Sequence, residues 1–104
     1  MTTKIILSPE AQLDLMDFCD YLDESDPEVS MRFFDAARST FVEIARMPLI
    51  GQQYEVGETQ SLRKWRIKGF RRYLIFYRVK PETIEIVRLL HGSQDVDSIL
   101  TRNL

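Results

Sequence analysis

The sequence has very few of the residues that build disulfides, metal sites and cofactor sites. Its 104 residues include one cysteine, Cys19, and one histidine, His91. A single cysteine cannot close a disulfide within the chain, and the clustered Cys and His ligands of a zinc site are missing. We therefore expect no disulfide, no metal and no cofactor. A lone thiol is typical of the reducing cytoplasm, where we expect the protein to reside.

Long apolar runs and glycine-rich loops are also missing. The apolar run near the start, Ile5–Leu7, has three residues, whereas a secretory signal needs about 7–15 apolar residues and a membrane helix about 20. The four glycines are dispersed among predicted turns, without the spacing of a phosphate-binding loop. The length predicts one globular domain, residues 1–104. Because long apolar runs are missing, we expect no association with a membrane.

Charge is unevenly distributed along the chain. The formal net charge is −2, but residues 1–60 hold 4 basic and 12 acidic side chains, which gives −8. Residues 61–104 hold 10 basic and 4 acidic side chains, which gives +6. A polyanion or an acidic peptide would be attracted to the second half and repelled by the first. The distribution therefore favours a binding function.

The basic charge is concentrated in residues 62–78, which carry seven positive side chains and no acid over seventeen residues. Alternating lysine and arginine on a solvated sheet face can serve solubility alone, and lysine also protects exposed strand edges. The complete absence of acids instead favours a partner that presents phosphates or carboxylates. The side chains predicted to bind such a partner are Arg63, Lys64, Arg66, Lys68, Arg71, Arg72, Arg78 and Arg88.

Two helices are predicted in the first half of the chain. Ser8-Pro9 and Asp26-Pro27 each combine a good N-cap with a proline suited to the first helical position. We expect the first helix to end near Leu22 and the second near Met47, before Pro48. The short connection between them predicts an antiparallel helical hairpin.

Both helices are predicted to be amphipathic. We expect the apolar stripes to be buried and the acidic face of the first helix to be solvated. The apolar residues are Ala11, Leu15, Phe18 and Leu22 on the first helix, and Phe33, Phe34, Ala37, Phe41, Ile44 and Ala45 on the second. The acidic residues of the first helix are Asp14, Asp17, Asp20, Asp23 and Glu24.

The second half of the chain has the alternation expected of strands. Leu49–Ser61 is expected to be a loop or irregular segment, followed by strands near residues 63–68, 73–77 and 84–91. Ser93 is expected to cap a short C-terminal helix. The prediction is an α+β fold in the order β-α-α-β-β-β-α. The helical hairpin packs on a small antiparallel sheet meander, followed by the short C-terminal helix.

Several short sequence motifs occur along the chain in a characteristic order. They are Leu7-Ser8-Pro9-Glu10-Ala11 with Asp14-Leu15 and Tyr21, Met47-Pro48 with Gly51, Leu62-Arg63, Tyr73-Leu74-Ile75-Phe76-Tyr77-Arg78, and Val87-Arg88-Leu89-Leu90-His91-Gly92-Ser93-Gln94-Asp95-Val96. In this order and at this spacing, they resemble the ParE branch of the RelE/ParE toxin superfamily of bacterial type II toxin–antitoxin systems. The resemblance spans essentially the whole chain.

The resemblance implies a compact toxin that is neutralised by direct binding of a ParD-like antitoxin, whose C-terminal segment folds along the toxin surface. It also implies one of two actions, because ParE-like members poison DNA gyrase and RelE-like members cleave mRNA on the ribosome. We expect the first, inhibition of gyrase through a protein interface and without catalysis by the toxin itself. Nucleic acid would be involved only through the target or the antitoxin complex. Under this hypothesis no residue is catalytic, and the eight basic residues named above bind the antitoxin or the target.

A second hypothesis is a ribosome-dependent mRNA interferase, a RelE-like endoribonuclease. RNA cleavage needs proton-transfer groups and cations on the phosphate, which here would be His91 with Arg88, Arg66 and Arg63. RelE-like nucleases typically carry a catalytic Tyr or His near the C-terminus, whereas residues 100–104 contain neither. A lone His at a strand end is more often structural, and we expect His91 to anchor a turn. A third hypothesis is a decayed, non-toxic module that still binds an antitoxin.

Overall fold

The structure, a computed structural model, describes residues 3–58 and 60–102 of the chain. Within them, three helices and five strands follow the order β-α-α-β-β-β-β-α. The helices are α1 (Pro9–Ser25), α2 (Pro27–Arg46) and α3 (Val96–Arg102). The strands are β1 (Lys4–Leu7), β2 (Gln52–Val56), β3 (Gln60–Ile67), β4 (Phe70–Val79) and β5 (Thr83–His91). The α+β class and the helical hairpin expected from the sequence are confirmed.

Both long helices begin at the caps that the sequence predicts. The Ser8 Oγ accepts a hydrogen bond from the Ala11 N–H at 3.0 Å, and the Asp26 Oδ1 accepts one from the Glu28 N–H at 3.0 Å. Each bond satisfies an N–H group that has no partner within its own helix. Because Asp26 ends α1 and caps α2, the two helices must reverse direction over a single residue.

The five strands form one sheet in the order β1-β5-β4-β3-β2. Strands β2 to β5 are an antiparallel meander, and β1 pairs in parallel with the far side of β5. A parallel pair needs a long crossover connection, and part of it here is the helical hairpin. The turn between β3 and β4 contains Gly69 at φ +81°, a conformation that a side chain would disfavour.

Each face of the sheet has its own apolar core. Helices α1 and α2 pack on one face, called here the hairpin face, and α3 packs on part of the other, called here the α3 face. The larger core, on the hairpin face, buries Ala11, Leu15, Phe33, Ala37, Phe41, Ile44, Ile67, Ile75, Tyr77, Ile84, Ile86 and Leu89. The smaller core, on the α3 face, buries Val56, Leu62, Phe76, Val87, Leu90 and Leu100.

Strand β2 was not expected from the sequence. The segment Leu49–Ser61, predicted to be a loop, contains all of β2 and the start of β3. Three of the five side chains of β2 are exposed. Only half-buried Tyr54 and buried Val56, two positions apart, show the alternation of buried and exposed side chains that is typical of a strand. Polar side chains are common at sheet edges because they discourage further pairing. The prediction of an irregular segment was therefore wrong.

Phe34 departs from the apolar stripe predicted for α2. Its side chain is 41% exposed, and the Arg38 guanidinium lies 5.8 Å from its ring centroid. Phe33 is buried, and the next position of an α-helix is turned by about 100°. The prediction that both phenylalanines belong to the core was therefore wrong for Phe34.

Helix α1 closes the part of β5 that β1 leaves open. Strand β1 pairs only with residues 83–86 of β5. Beyond that point the Ser8 Oγ donates a hydrogen bond to the Val87 carbonyl at 2.8 Å. The Asp14 carboxylate accepts one from the Leu89 N–H at 3.0 Å. Side chains of the helix start thus replace the missing strand, and they fix where α1 crosses the sheet.

The Asp14 carboxylate also holds Arg88. The Arg88 Nε lies 2.7 Å from one carboxylate oxygen, and its Nη2 lies 2.9 Å from the other. Both side chains are mostly buried, at 16% and 13% exposed. The hydrogen bonds to Asp14 raise the pKa of Arg88 above its usual value. The expectation that the acidic face of α1 is wholly solvated was therefore wrong for Asp14, which lies among the apolar positions that face the sheet.

Replacing Asp14 by alanine is expected to lower the free energy of unfolding by about 2–4 kcal/mol, because the Leu89 N–H and the Arg88 guanidinium lose a shared acceptor in a mostly buried place. Urea denaturation followed by circular dichroism measures this change. Asp20→Ala, at an exposed position of the same helix, is the matched control and should change it by less than about 0.5 kcal/mol. Equal effects of the two substitutions would contradict the role assigned to Asp14.

Candidate functional site

The eight predicted basic residues divide into three groups in the structure. Lys64 and Arg66 belong to the α3 face, because Arg66 pairs with Leu74 and Leu74 packs against the smaller core. A second group surrounds the turn between β3 and β4 and comprises Lys68, Arg71 and Arg72. The third group is engaged within the fold and comprises Arg63, Arg78 and Arg88.

The third group holds parts of the fold together. Arg63 donates to the Gly51 carbonyl at 2.6 Å. Arg78 donates to the Glu85 carboxylate on the neighbouring strand at 2.7 Å. Arg88 is held by the carboxylate of α1, as described above. These contacts give the three residues a structural role, and their predicted role in binding stays a prediction.

Lys64 and Arg66 lie against aromatic rings. The Arg66 guanidinium carbon is 4.7 Å from the centroid of the Trp65 ring, and the Lys64 Nζ is 5.3 Å from that of Tyr54. The Trp65 indole N–H in turn donates to the Glu43 carboxylate of α2 at 3.0 Å. Stacking restricts a guanidinium while leaving its N–H groups able to bind a partner. Arg66 is exposed and is therefore a preorganised cation.

Lys68, Arg71 and Arg72 are exposed around the β3–β4 turn. Their side chains form no ion pair or hydrogen bond with any residue that the structure describes. The register of β3 and β4 shifts next to them, where Ile67 pairs with Phe70. An irregular strand end with three uncompensated cations is a surface to which carboxylates or phosphates would be attracted.

A buried tyrosine fixes the connection between α2 and β2. The Tyr77 Oη accepts a hydrogen bond from the Gly51 N–H at 2.9 Å and donates one to the Pro48 carbonyl at 2.8 Å. Burial raises the pKa of Tyr77, so the hydroxyl keeps its proton. A Cβ atom at Gly51 would lie 2.7 Å from the Tyr77 Oη and 2.9 Å from the Lys64 carbonyl oxygen. Only glycine fits this position, which sets where β2 joins β3.

His91 anchors the turn after β5, as the sequence predicts. Its Nδ1 accepts a hydrogen bond from the Ser93 N–H at 3.0 Å, and the Ser93 Oγ lies 2.8 Å from the same atom. With Nδ1 as acceptor, a neutral ring carries its proton on Nε2. The cap predicted at Ser93 was wrong: Asp95 accepts a long bond of 3.4 Å from the Ser98 N–H, inside α3.

The four residues of the nuclease hypothesis are not brought together. His91 pairs with Tyr73, which packs on the hairpin face, with the two ring centroids 4.8 Å apart. Arg66 pairs with Leu74 of the smaller core, and its guanidinium lies against Trp65. Arg63 and Arg88 are engaged by internal acceptors at 2.6 Å and 2.7 Å. Two of the three candidate phosphate-binding groups are therefore held within the fold, and the His91 Nδ1 is engaged by Ser93.

Comparison with known families identifies the chain. The sequence pattern of the family described as "ParE toxin of type II toxin-antitoxin system, parDE" matches residues 5–96. The chain belongs to this ParE toxin family. The match includes β1, the helical hairpin and all of the meander, so it covers the whole basic segment of residues 62–78.

A solved structure shares the fold of this ParE-family chain. It is described as "Chromosomal ParDE TA system from P. aeruginosa" and superposes with a TM-score of 0.69 at 16% sequence identity. The similarity covers 86% of this chain and 96% of the other. A comparison with curated proteins finds no match.

Two kinds of site are missing from the residues that the structure describes. None of the helices within residues 3–58 and 60–102 is long and apolar enough to cross a membrane. Over the same residues, no three His, Cys, Asp or Glu side chains are grouped as a metal site would require.

Helix α3 of this ParE-family chain is tied to the edge strand β2. The Tyr54 hydroxyl donates a hydrogen bond to the Asp97 carboxylate. This bond, with a smaller contribution from burial, raises the pKa of Tyr54 to about 12. Leu100 of α3 is fully buried against the smaller core. Tyr54 thus connects α3, β2 and the basic side chain of Lys64 that lies over its ring.

Sequence reasoning missed the acidic and aromatic partners of the basic residues. The position of Asp14 on the buried face of the first helix could have been recognised from the sequence. Asp14 follows Ala11 by three positions and precedes Phe18 by four, which places it among apolar residues on one helix face. The pairing of Glu43 with Trp65 and of Asp97 with Tyr54 could not have been recognised, because the members of each pair lie more than twenty residues apart in the sequence.

Replacing Asp97 by asparagine is expected to lower the pKa of Tyr54 from about 12 towards its usual value of 10.0, because the carboxylate that favours the protonated phenol is lost. Stability from this bond is fully present below about pH 10 and is lost as the pH rises towards 12. NMR titration of the Tyr54 ring measures the pKa, with Asp95→Asn as control. An unchanged titration in Asp97→Asn would rule out this bond.

Proposed function

We propose that this protein is the toxin of a type II toxin–antitoxin pair and that it inhibits DNA gyrase by binding the enzyme. A ParD-like antitoxin in the same cytoplasm would neutralise it by direct binding. The observation that carries the proposal is the family match over residues 5–96. The toxin makes or breaks no covalent bond itself in this mechanism, so affinity and geometry of binding decide its effect.

The exposed cations support an electrostatic interface. Within residues 3–58 and 60–102 no acid forms an ion pair with Lys68, Arg71 or Arg72, and Arg66 is held by stacking on Trp65. Such a surface attracts carboxylates and phosphates over long range and raises the association rate with an acidic partner. If the antitoxin and gyrase meet the same cations, neutralisation follows from simple occlusion of the surface.

The mRNA interferase hypothesis ranks second for a geometric reason. The His91 Nδ1 is engaged within a turn, and Arg63 and Arg88 are held by internal oxygens. General acid–base catalysis needs the proton-transfer group within hydrogen-bond reach of the reacting phosphate. Two of the three cations proposed to hold that phosphate therefore have structural contacts instead.

A plasmid supercoiling assay with purified gyrase and ATP tests the proposal. The purified toxin is expected to inhibit supercoiling and to increase the linear DNA recovered after the reaction is stopped with detergent and protease. Prior mixing with an equimolar amount of the antitoxin should restore supercoiling. A toxin that leaves gyrase unaffected at saturating concentration would contradict the proposal.

His91→Asn separates the two functional hypotheses. Asparagine can present an acceptor to the Ser93 N–H in place of the His91 Nδ1, so the turn should be preserved. The variant is expected to inhibit gyrase as the unsubstituted protein does. Cleavage of ribosome-bound mRNA by the unsubstituted protein and its loss in His91→Asn would instead establish the interferase.

A further inference from the structure

We propose that a cavity between the second half of α1, the start of β4 and the end of β5 binds a small organic cation that carries a guanidinium or alkylammonium group. The cavity has a volume of about 420 Å³, and small-molecule sites usually have about 300–1,000 Å³. Its lining includes the rings of Phe18, Tyr21, Tyr73 and His91 and the Asp17 carboxylate. The eight basic residues assigned to binding above do not line it, so the site is separate from the proposed interface.

Tyr73 is the centre of the ring cluster in this cavity. Its ring centroid lies 5.0 Å from that of Phe18 and 4.8 Å from that of His91, with interplanar angles of 86° and 85°. The fully buried ring of Phe33 packs against it at 4.9 Å, which anchors the cluster in the larger core. His91 is fixed in turn by the contacts of its Nδ1 with Ser93. The rings are therefore held in place before a ligand arrives.

The polar groups of the cavity are not used by the fold. Within residues 3–58 and 60–102, the Asp17 carboxylate and the hydroxyls of Tyr21 and Tyr73 form no hydrogen bond or ion pair. Asp17 and Tyr21 are exposed, and Tyr73 is half-buried. Burial, with a smaller contribution from Tyr21, raises the pKa of Tyr73, so its hydroxyl stays protonated. The three side chains thus offer oxygen atoms that can accept hydrogen bonds from a ligand.

The charge of the lining selects a cation. Among the described residues that line the cavity, Asp17 is the only carboxylate, and no lysine or arginine is present to neutralise it. Exposed Asp20 and Asp23 on the same helix add to the negative potential. An anion would be repelled, and an apolar molecule would cover the carboxylate without replacing its contacts with water. A cation can pair with the carboxylate and is also attracted by ring faces.

The protein uses the same kind of contact elsewhere with its own side chains. The guanidinium carbon of Arg66 lies 4.7 Å from the Trp65 ring centroid, and that of Arg38 lies 5.8 Å from the Phe34 ring centroid. Over the described residues, no lysine or arginine lies against a ring of the cavity in this way. The cavity therefore has the rings and the acceptors of a cation site without a cation from the chain.

The arrangement also indicates the shape of the ligand. A guanidinium is planar and carries several N–H donors, so it can donate to Asp17 and to a phenol oxygen while its plane packs against a ring. An alkylammonium group can donate to the same oxygens through its three N–H groups. The apolar parts of the rings suit a short aliphatic stem. The expected ligand is therefore a small molecule with one cationic group at the end of such a stem.

NMR titration of the intact protein with the N-butylguanidinium ion tests the proposal, since this probe has one guanidinium on a short aliphatic stem. The ring signals of Tyr73 and His91 are expected to shift in a saturable way, with a Kd of about 10 mM or tighter. N-butylurea, which has nearly the same shape and no charge, is the matched control. It is expected to bind at least about threefold more weakly.

Substitutions on α1 separate a contact in the cavity from general attraction by an acidic helix. Asp17→Asn is expected to raise the Kd of the probe about threefold or more, because a charged acceptor becomes neutral. Asp20→Asn removes the same charge from an exposed position that does not line the cavity, and it should change the Kd by less than about 1.5-fold. Tyr21→Ala removes an exposed ring and is expected to raise the Kd about twofold to fivefold.

Three results would overturn the inference. The first is the absence of any shift of the Tyr73 and His91 signals up to about 100 mM of the probe. The second is equal binding of N-butylurea, which would show that the cavity does not select charge. The third is an equal effect of Asp17→Asn and Asp20→Asn, which would assign the binding to the surface potential of α1. Each of these results leaves the proposed function standing, because gyrase inhibition is assigned to other residues.

Discussion

The Asp14 carboxylate is the contact on which the arrangement of helices and sheet depends. It accepts hydrogen bonds from the Leu89 N–H and from two nitrogens of Arg88, and so joins α1 to β5 across 74 or 75 positions of sequence. Because Asp26 ends α1 and caps α2, fixing α1 on the sheet also fixes α2. The position of α1 and α2 on the sheet determines which aromatic side chains pack in the core of the hairpin face, and it places Glu43 beside Trp65.

The basic residues have two kinds of role, which their surroundings separate. Arg63, Arg78 and Arg88 meet internal carbonyl or carboxylate oxygens, which offset the cost of removing their charges from water. Arg71 and Arg72 face solvent. The seven cations in residues 62–78 are therefore more than the number that is free and exposed, and the exposed ones form a basic region at one end of the sheet.

Much of the fold could be predicted because local rules decide it. Ser8-Pro9 and Asp26-Pro27 specify helix starts because the Ser8 and Asp26 side chains accept hydrogen bonds from nearby backbone N–H groups. The apolar runs of β4 and β5 can be recognised without knowing their neighbours. The polar edge strand β2 could not be predicted in this way, because it is stabilised by pairing with β3 and by the Tyr77 contact to Gly51. The candidate site was predicted as a list of cations, and their separation into internal and exposed groups required the three-dimensional partners.

The most direct test of the account compares the two groups of cations in the same pair of assays, urea denaturation and gyrase supercoiling. The double variant Arg71→Gln/Arg72→Gln is expected to keep its free energy of unfolding within about 0.5 kcal/mol and to need about tenfold more protein for half-inhibition of gyrase. Arg88→Gln is expected to lose about 2–4 kcal/mol of stability and, while folded, to inhibit gyrase normally. Normal inhibition by a folded double variant would contradict the assignment of the exposed cations to the functional surface.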